Sequence, residues 1–142
     1  MAAEVHVAVI GAGPYGLSCA SYLRERGVDH VIFGSPMASW RETMPRGMLL
    51  KSDGFASSIY HPAGKLTLRQ YCAEQNLPYA DLNLPVPLET FVAYGLHFQK
   101  QLVPYLDERL VARLERQADS FVLELDEGDR IAAKHVIVAT GI

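Results

Sequence analysis

The chain has 142 residues, 49% of them apolar and 20% charged, with a formal net charge of −3, which fits one globular domain able to bury its own core. That balance lacks the basic footprint selected by nucleic acid or by an anionic membrane surface, so neither is expected as a partner. Cys19 and Cys72 lie outside any CxxC or Cys/His cluster, and no run reaches the roughly 18 apolar residues of a membrane helix, which argues against a disulfide scaffold, structural zinc and a spanning segment.

Residues 5–10, VHVAVI, are β-branched and almost wholly apolar, as a central parallel strand covered on both faces should be. No basic stretch precedes them and a glycine motif follows, so they do not read as a signal peptide; a reducing, cytoplasmic setting is the expectation. Pro14 suits the first position of a helix in which Leu17, Ala20 and Leu23 recur at helical spacing, and Gly27 supplies the residue after its end. Residues 28–33 form a second short strand. Strand, glycine turn, helix and strand make a βαβ unit over residues 1–34, with a right-handed crossover expected.

Residues 35–109 change character and hold seven of the eight prolines. This stretch reads as an excursion with two helices. Thr67 and Gln70 form a capping box for the first, which Asn76 closes and Pro78 keeps from resuming. Pro87 starts the second, where Phe91, Tyr94, Phe98, Gln101 and Leu102 follow a 3.6-residue period as far as Pro104.

Over residues 110–142 the pattern turns to β. Residues 110–114, 121–125 and 130–133 suggest a small meander, with a turn at Glu127-Gly128-Asp129, and residues 136–139 read as a further, separate buried parallel strand. The fold class is therefore α/β: a Rossmann-like domain, a parallel sheet with a small β-meander, carrying a long helical excursion after the second strand.

The motif that carries chemistry is Gly11-Ala12-Gly13-Pro14-Tyr15-Gly16, a GxGxxG set between a strand and a helix. Gly11 permits the tight turn, Gly13 lets the backbone approach a diphosphate without a Cβ in the way, and Gly16 allows close packing of helix on strand. The helix N-terminus adds free N–H groups and about half a positive charge. A dipole contribution of about 1–2 kcal/mol gives roughly a tenfold gain in affinity, so other contacts must hold the cofactor.

The expected next contact is an acidic residue at the end of the second strand, gripping ribose hydroxyls. Gly34 stands there instead. Losing a hydrogen bond to a charged group costs roughly 1.5–3 kcal/mol, so a replacement is needed. Ser35 or Ser39 offers a hydroxyl, and Arg41 could meet a ribose phosphate, which would put NADP(H) in this site.

With those residues in view, the chain resembles the N-terminal part of flavin-containing monooxygenases and related NADPH-dependent flavoproteins over nearly its whole length. Besides GAGPYG, Ala38-Ser39-Trp40-Arg41 is similar to that group's glycine-glycine-x-tryptophan segment, Met44-Pro45-Arg46-Gly47-Met48 to its proline-glycine turn, and Ala139-Thr140-Gly141 to its ATG motif. The resemblance implies that this fold holds FAD, with Gly11, Gly13, Pro14 and Gly16 around the diphosphate and Trp40 and Arg41 along the cofactor. It also implies that Val111 offers a backbone contact to adenine and that Thr140 and Gly141 lie where the flavin domain hands over to an NADPH domain. Three features depart from the family: Gly34, the lack of paired glycines before Trp40, and the lack of a second GxGxxG. The NADPH domain is thus absent from the chain.

No catalytic residue is assigned, because in such flavoproteins the flavin carries the hard chemistry. Asp53, His61 and His97 have no acid–base partner in the sequence and read as solvated or structural. Glu124, Asp126, Glu127 and Asp129 read as a solvated hairpin, not a metal site. The leading expectation is the FAD-binding portion of an NADPH-dependent oxidoreductase or monooxygenase acting on a small molecule. The alternatives are an NADP(H)-binding reductase domain and a truncated, non-catalytic flavoprotein-like module.

Overall fold

The computed structural model describes residues 4–141; the expected domain limits, 1 and 142, lie outside them. The elements run β1 (Glu4–Ile10), α1 (Pro14–Glu25), β2 (His30–Phe33), α2 (Ala38–Glu42), a 3-10 turn (Gly54–Ala56), α3 (Leu68–Glu74), α4 (Leu88–Leu102), β3 (Val111–Gln117), β4 (Ser120–Leu125) and β5 (Arg130–Val138). They build one five-stranded sheet in the order β2-β1-β5-β4-β3. β1 lies parallel to both β2 and β5, while β4 runs antiparallel to β5 and to β3.

The two faces of the parallel strands follow from the period of two along a strand. Val7, Val9 and Ile32 point into the larger core, with Leu17 and Ala20 of α1 and Met37, Leu68, Phe91, Tyr94 and Phe98 of the excursion. Ala8 and Phe33 alternate with them and pack on Leu123, Leu125 and Ala133 in a smaller cluster. Helices therefore cover one face of the parallel strands, and side chains of β4 and β5 join Ala8 and Phe33 in the smaller cluster on the other.

Two expectations need correction. Residues 130–133 and 136–139 are not separate strands: β5 is continuous, pairing with β4 at its start and with β1 along most of its length. The polar pair Lys134-His135 looked like a break, but it is exposed and sits where the antiparallel partner ends while β1 continues. The excursion, in turn, holds more than two helices. α2 is only five residues long, too short to show a period, and the 3-10 turn is shorter still.

The other helices form where capping and spacing place them. Thr67 Oγ1 accepts from the Gln70 N–H at 3.2 Å while Gln70 Oε1 accepts from the Thr67 N–H at 3.0 Å, and Asn76 takes a left-handed conformation after α3 at φ 54°. In α4, Pro87 is the residue before the first turn and Phe91, Tyr94 and Phe98 are buried. The Tyr94 hydroxyl accepts from the Ile59 N–H at 2.9 Å and donates to the Leu66 carbonyl at 2.7 Å, tying a loop without secondary structure to the core.

Candidate nucleotide-binding site

The parallel register brings Ile10, Phe33 and Val138 level at the carboxyl ends of their strands. This is the edge at which open α/β sheets bind ligands. The chain turns there three times, at Gly11, Gly34 and Ala139. Gly11 has φ +116°, and a Cβ on it would lie 2.2 Å from the Ala139 carbonyl oxygen. A Cβ on Gly16 would lie 1.9 Å from the Gly11 carbonyl oxygen. Both glycines are thus fixed by backbone packed on backbone.

Gly13 differs. Its backbone is extended, at φ −82° and ψ −169°, a conformation any residue adopts, and a Cβ built on it meets nothing within 4 Å. Nothing in the chain requires glycine there. Pro14 opens the 12-residue α1, and the N–H groups of Tyr15 and Gly16 make no hydrogen bond among the described residues. The result is a turn bordered by unpaired donors at the positive end of a helix, with open space at Gly13. An anionic diphosphate fits that donor set, and a side chain at residue 13 would enter its space.

The end of β2 packs directly on this loop. Gly34 has φ +142°, and a Cβ there would lie 3.0 Å from the Ala12 nitrogen and 3.3 Å from the Ala12 Cβ. On this backbone a side chain at position 34 would be strained and in tight contact with Ala12, so glycine suits the turn that seats β2 on the loop. The Met37 N–H then donates to the Ala12 carbonyl at 2.9 Å. Met37 is fully buried, with its side chain in the notch left by Gly95 of α4, where a Cβ would lie 2.6 Å from its Sδ.

Trp40 stands edge to face on Phe91, ring centres 4.7 Å apart, half-buried against the larger core. Its ring anchors α2 on α4. Arg41, one residue on, turns back over the loop: its Nε donates to the Pro36 carbonyl at 2.9 Å and its Nη2 to Ser35 Oγ at 2.7 Å. The structure thus joins Ser35 to Arg41 beside Ala12. Ser39 is exposed, and its carbonyl serves α2.

Thr140 and Gly141 are exposed beyond β5, next to the Ala139 that roofs Gly11. Val111 opens β3 opposite Leu125 and is half-buried at the smaller cluster. Asp107 and Arg109, which no sequence pattern marks, sit nearer β2. Asp107 pairs in parallel with Phe33, donating its N–H to the Ile32 carbonyl and accepting from the Gly34 N–H, both at 3.0 Å. Arg109 grips the Asp107 carboxylate with Nε at 3.0 Å and Nη2 at 2.7 Å, and reaches Asp129 with Nη1 at 2.7 Å. Those hydrogen bonds hold the Asp107 carboxyl below its ordinary range. An aspartate two residues before an arginine in an irregular segment has no periodicity to find.

The tempting acid–base residues do not converge. His61 is buried, its Nδ1 accepting from the Ala63 N–H at 3.0 Å, with Nε2 3.7 Å from Glu25. His97 packs on Tyr71 with ring centres 5.3 Å apart, and Asp53 is exposed ahead of the 3-10 turn. Among the described residues no group of three or more His, Cys, Asp or Glu could hold a metal ion, and no helix is long and apolar enough to cross a membrane.

Sheet order and glycine turn define a dinucleotide-binding domain of the Rossmann type. The family model described as pyridine nucleotide-disulphide oxidoreductase matches residues 5–142, and the chain belongs to that family. Among solved structures, it is similar to a flavin-containing monooxygenase from Stenotrophomonas maltophilia at 26% identity and a TM-score of 0.77, over 99% of this chain and 39% of that one. The bacillithiol disulfide reductase Bdr (YpdA) from Staphylococcus aureus shares the fold at 19% identity and a TM-score of 0.77, with the same coverage. So does OTEMO, in a complex with FAD and NADP, at 15% identity and a TM-score of 0.73, over 99% of this chain and 26% of that one. The chain thus spans well under half the length of these proteins. No curated protein matches it.

Proposed function

We propose that this chain is the FAD-binding part of an NADPH-dependent flavoprotein oxidoreductase of the monooxygenase type. Family membership supports the oxidoreductase class, and the likeness to the Stenotrophomonas maltophilia flavin-containing monooxygenase supports the finer assignment. The observation that carries the reading is the empty space over Gly13. Glycine is needed there only if something outside the chain fills it.

The residues divide the work of binding. Gly11 and Gly16 let the loop close on itself, Gly13 leaves the approach open, and the Tyr15 and Gly16 amides supply donors for a diphosphate. Ser35 and Arg41 border the ribose end, Val111 and the neighbouring backbone the adenine end, and Thr140 and Gly141 the side toward the flavin. When bound, FAD would supply the redox chemistry, with NADPH as the reductant; the chain's own part would be to bind and orient the flavin cofactor. The substrate is a small molecule, and a cytoplasmic setting without nucleic acid or membrane partners belongs to the same proposal, supported by two free cysteines and the acidic balance.

Adding FAD to the purified protein and removing the excess by gel filtration tests the reading. Retention of flavin near one per chain, with a shifted visible spectrum, is expected; a colourless protein that takes up no FAD contradicts it.

A further inference from the structure

We infer that this chain carries a second binding site, away from the glycine turn, in which His61, Arg24 and Lys65 hold a small oxyanion that also bears an O–H group, a hydroxycarboxylate or a phosphate. The site lies where α1 and α4 end beside the loop at residues 61–65. Ser21 and Glu25 come five and nine residues after Gly16 on α1, about 8–14 Å along its axis, so this cavity and the glycine turn are separate places on one helix. The cavity measures about 290 Å³ and is lined by Ser21, Arg24, Glu25, His61, Lys65 and Gln101. That is the low end of the roughly 300–1,000 Å³ of small-ligand sites, and its polar lining suits a small, polar occupant.

His61 is the buried part of the site. Its side chain is 4% exposed, and the Ala63 N–H donates to its Nδ1 at 3.0 Å. That bond makes Nδ1 the acceptor and leaves the ring proton on Nε2. The Nε2–H has no acceptor within hydrogen-bond reach among the described residues, since Glu25 Oε2 stands 3.7 Å away. No enclosed side-chain nitrogen or oxygen among the described residues lacks a partner, so Nε2 keeps its opening to the cavity. A donor fixed in a buried ring and left open in this way calls for an acceptor from outside the chain.

Arg24 is fixed as well. Its Nη1 donates to the Leu102 carbonyl at 3.0 Å, closing the end of α4, and its guanidinium carbon lies 5.5 Å from the centre of the Tyr105 ring. Its Nε and Nη2 meet no acceptor among the described residues, and the exposed Lys65 ammonium has no partner there either. In the lining, two cations and the His61 donor therefore face a single carboxylate, Glu25, whose side chain is 48% exposed. That balance selects an anion, and the planar fork of an arginine suits the paired oxygens of a carboxylate or phosphate. Glu25 can only accept, so it repels a second carboxylate beside it and takes a hydroxyl or a protonated oxygen instead.

Titration of the chain with malate and with inorganic phosphate at constant ionic strength, followed by the imidazole nitrogen resonances of His61, tests the inference. At least one of the two should shift the Nε2 resonance saturably, with a Kd of about 1 mM or tighter, and the tighter binder identifies the oxyanion. Succinate, which is malate without its hydroxyl, should bind roughly fivefold more weakly than malate, and Glu25→Gln should remove that difference. Lys65→Gln, a substitution at an exposed position, should weaken the tighter binder by roughly tenfold, with circular dichroism confirming that each variant is folded. No saturable shift at His61 with either anion, succinate binding as tightly as malate, or affinity unchanged by Lys65→Gln overturns the inference, the last because it would place the anion elsewhere, at the glycine turn included.

Discussion

At residues 11–16 the chain is shaped by backbone against backbone, whereas in the excursion over residues 35–109 side chains do the holding. Gly11 meets Ala139 and Gly16 meets Gly11 at distances that leave no room for a Cβ. The excursion is seated instead by Met37, Phe91, Tyr94 and Phe98 in the core and by surface pairs such as Arg69 with Asp81. In the first region, identity is set by atoms that must be missing, so a substitution is tolerated or it is not. In the second, identity is set by groups that must be present, and the penalty scales with what is removed.

The largest break of that contrast should come from Gly16→Val. Its Cβ would have to displace the Gly11 carbonyl, which itself abuts Ala139. Overpacking of this kind costs more than about 3 kcal/mol when no flexible neighbour can yield. Urea unfolding should show that loss together with abolished FAD uptake.

Tyr94→Phe is the counterpart in the excursion. It leaves the Ile59 N–H and the Leu66 carbonyl without the hydroxyl they share, at a cost of about 2 kcal/mol. Burial pushes the Tyr94 phenol up to about 12. A group whose folded value lies above its unfolded value of about 10 contributes stability that is complete below pH 10 and lost as pH rises toward 12. Wild type should therefore lose on the order of 2–3 kcal/mol over that interval that Tyr94→Phe does not. Parallel urea titrations from pH 8 to 12 would check it; identical pH profiles for the two proteins would contradict it.

The smallest effect belongs to Asp107→Asn. Arg109 depresses the Asp107 carboxyl, so its stabilisation is present above the unfolded value of about 4 and disappears as pH falls through the folded one. Thermal melts should show the variant slightly below wild type at pH 7, by less than the Tyr94 substitution, and level with it in strong acid.

What the sequence made legible follows the same division. β1, the glycine turn and α1 were readable because strand, glycine and proline each report a local backbone need, and α3 announced itself by a capping box. α2 was not, because five residues held in place by Met37 and Trp40 carry no period of their own. β5 was divided in two because Lys134-His135 breaks an apolar run, although a strand changing partners tolerates exposed polar residues. At the site, Gly34 read as a missing ribose contact, and only the structure shows that it packs tightly on Ala12 in a conformation that favours glycine. Asp107 and Arg109 depend on a single parallel bridge to Phe33, a long-range pairing that no local pattern encodes.

Gly13 belongs to neither category, since the chain needs nothing there and yet leaves the space clear. The most direct measurement is the stability and FAD affinity of Gly13→Val, taken together. The account predicts a protein within about 1 kcal/mol of wild type in urea whose FAD affinity falls at least a hundredfold. A folded variant that binds FAD as tightly as wild type would contradict it.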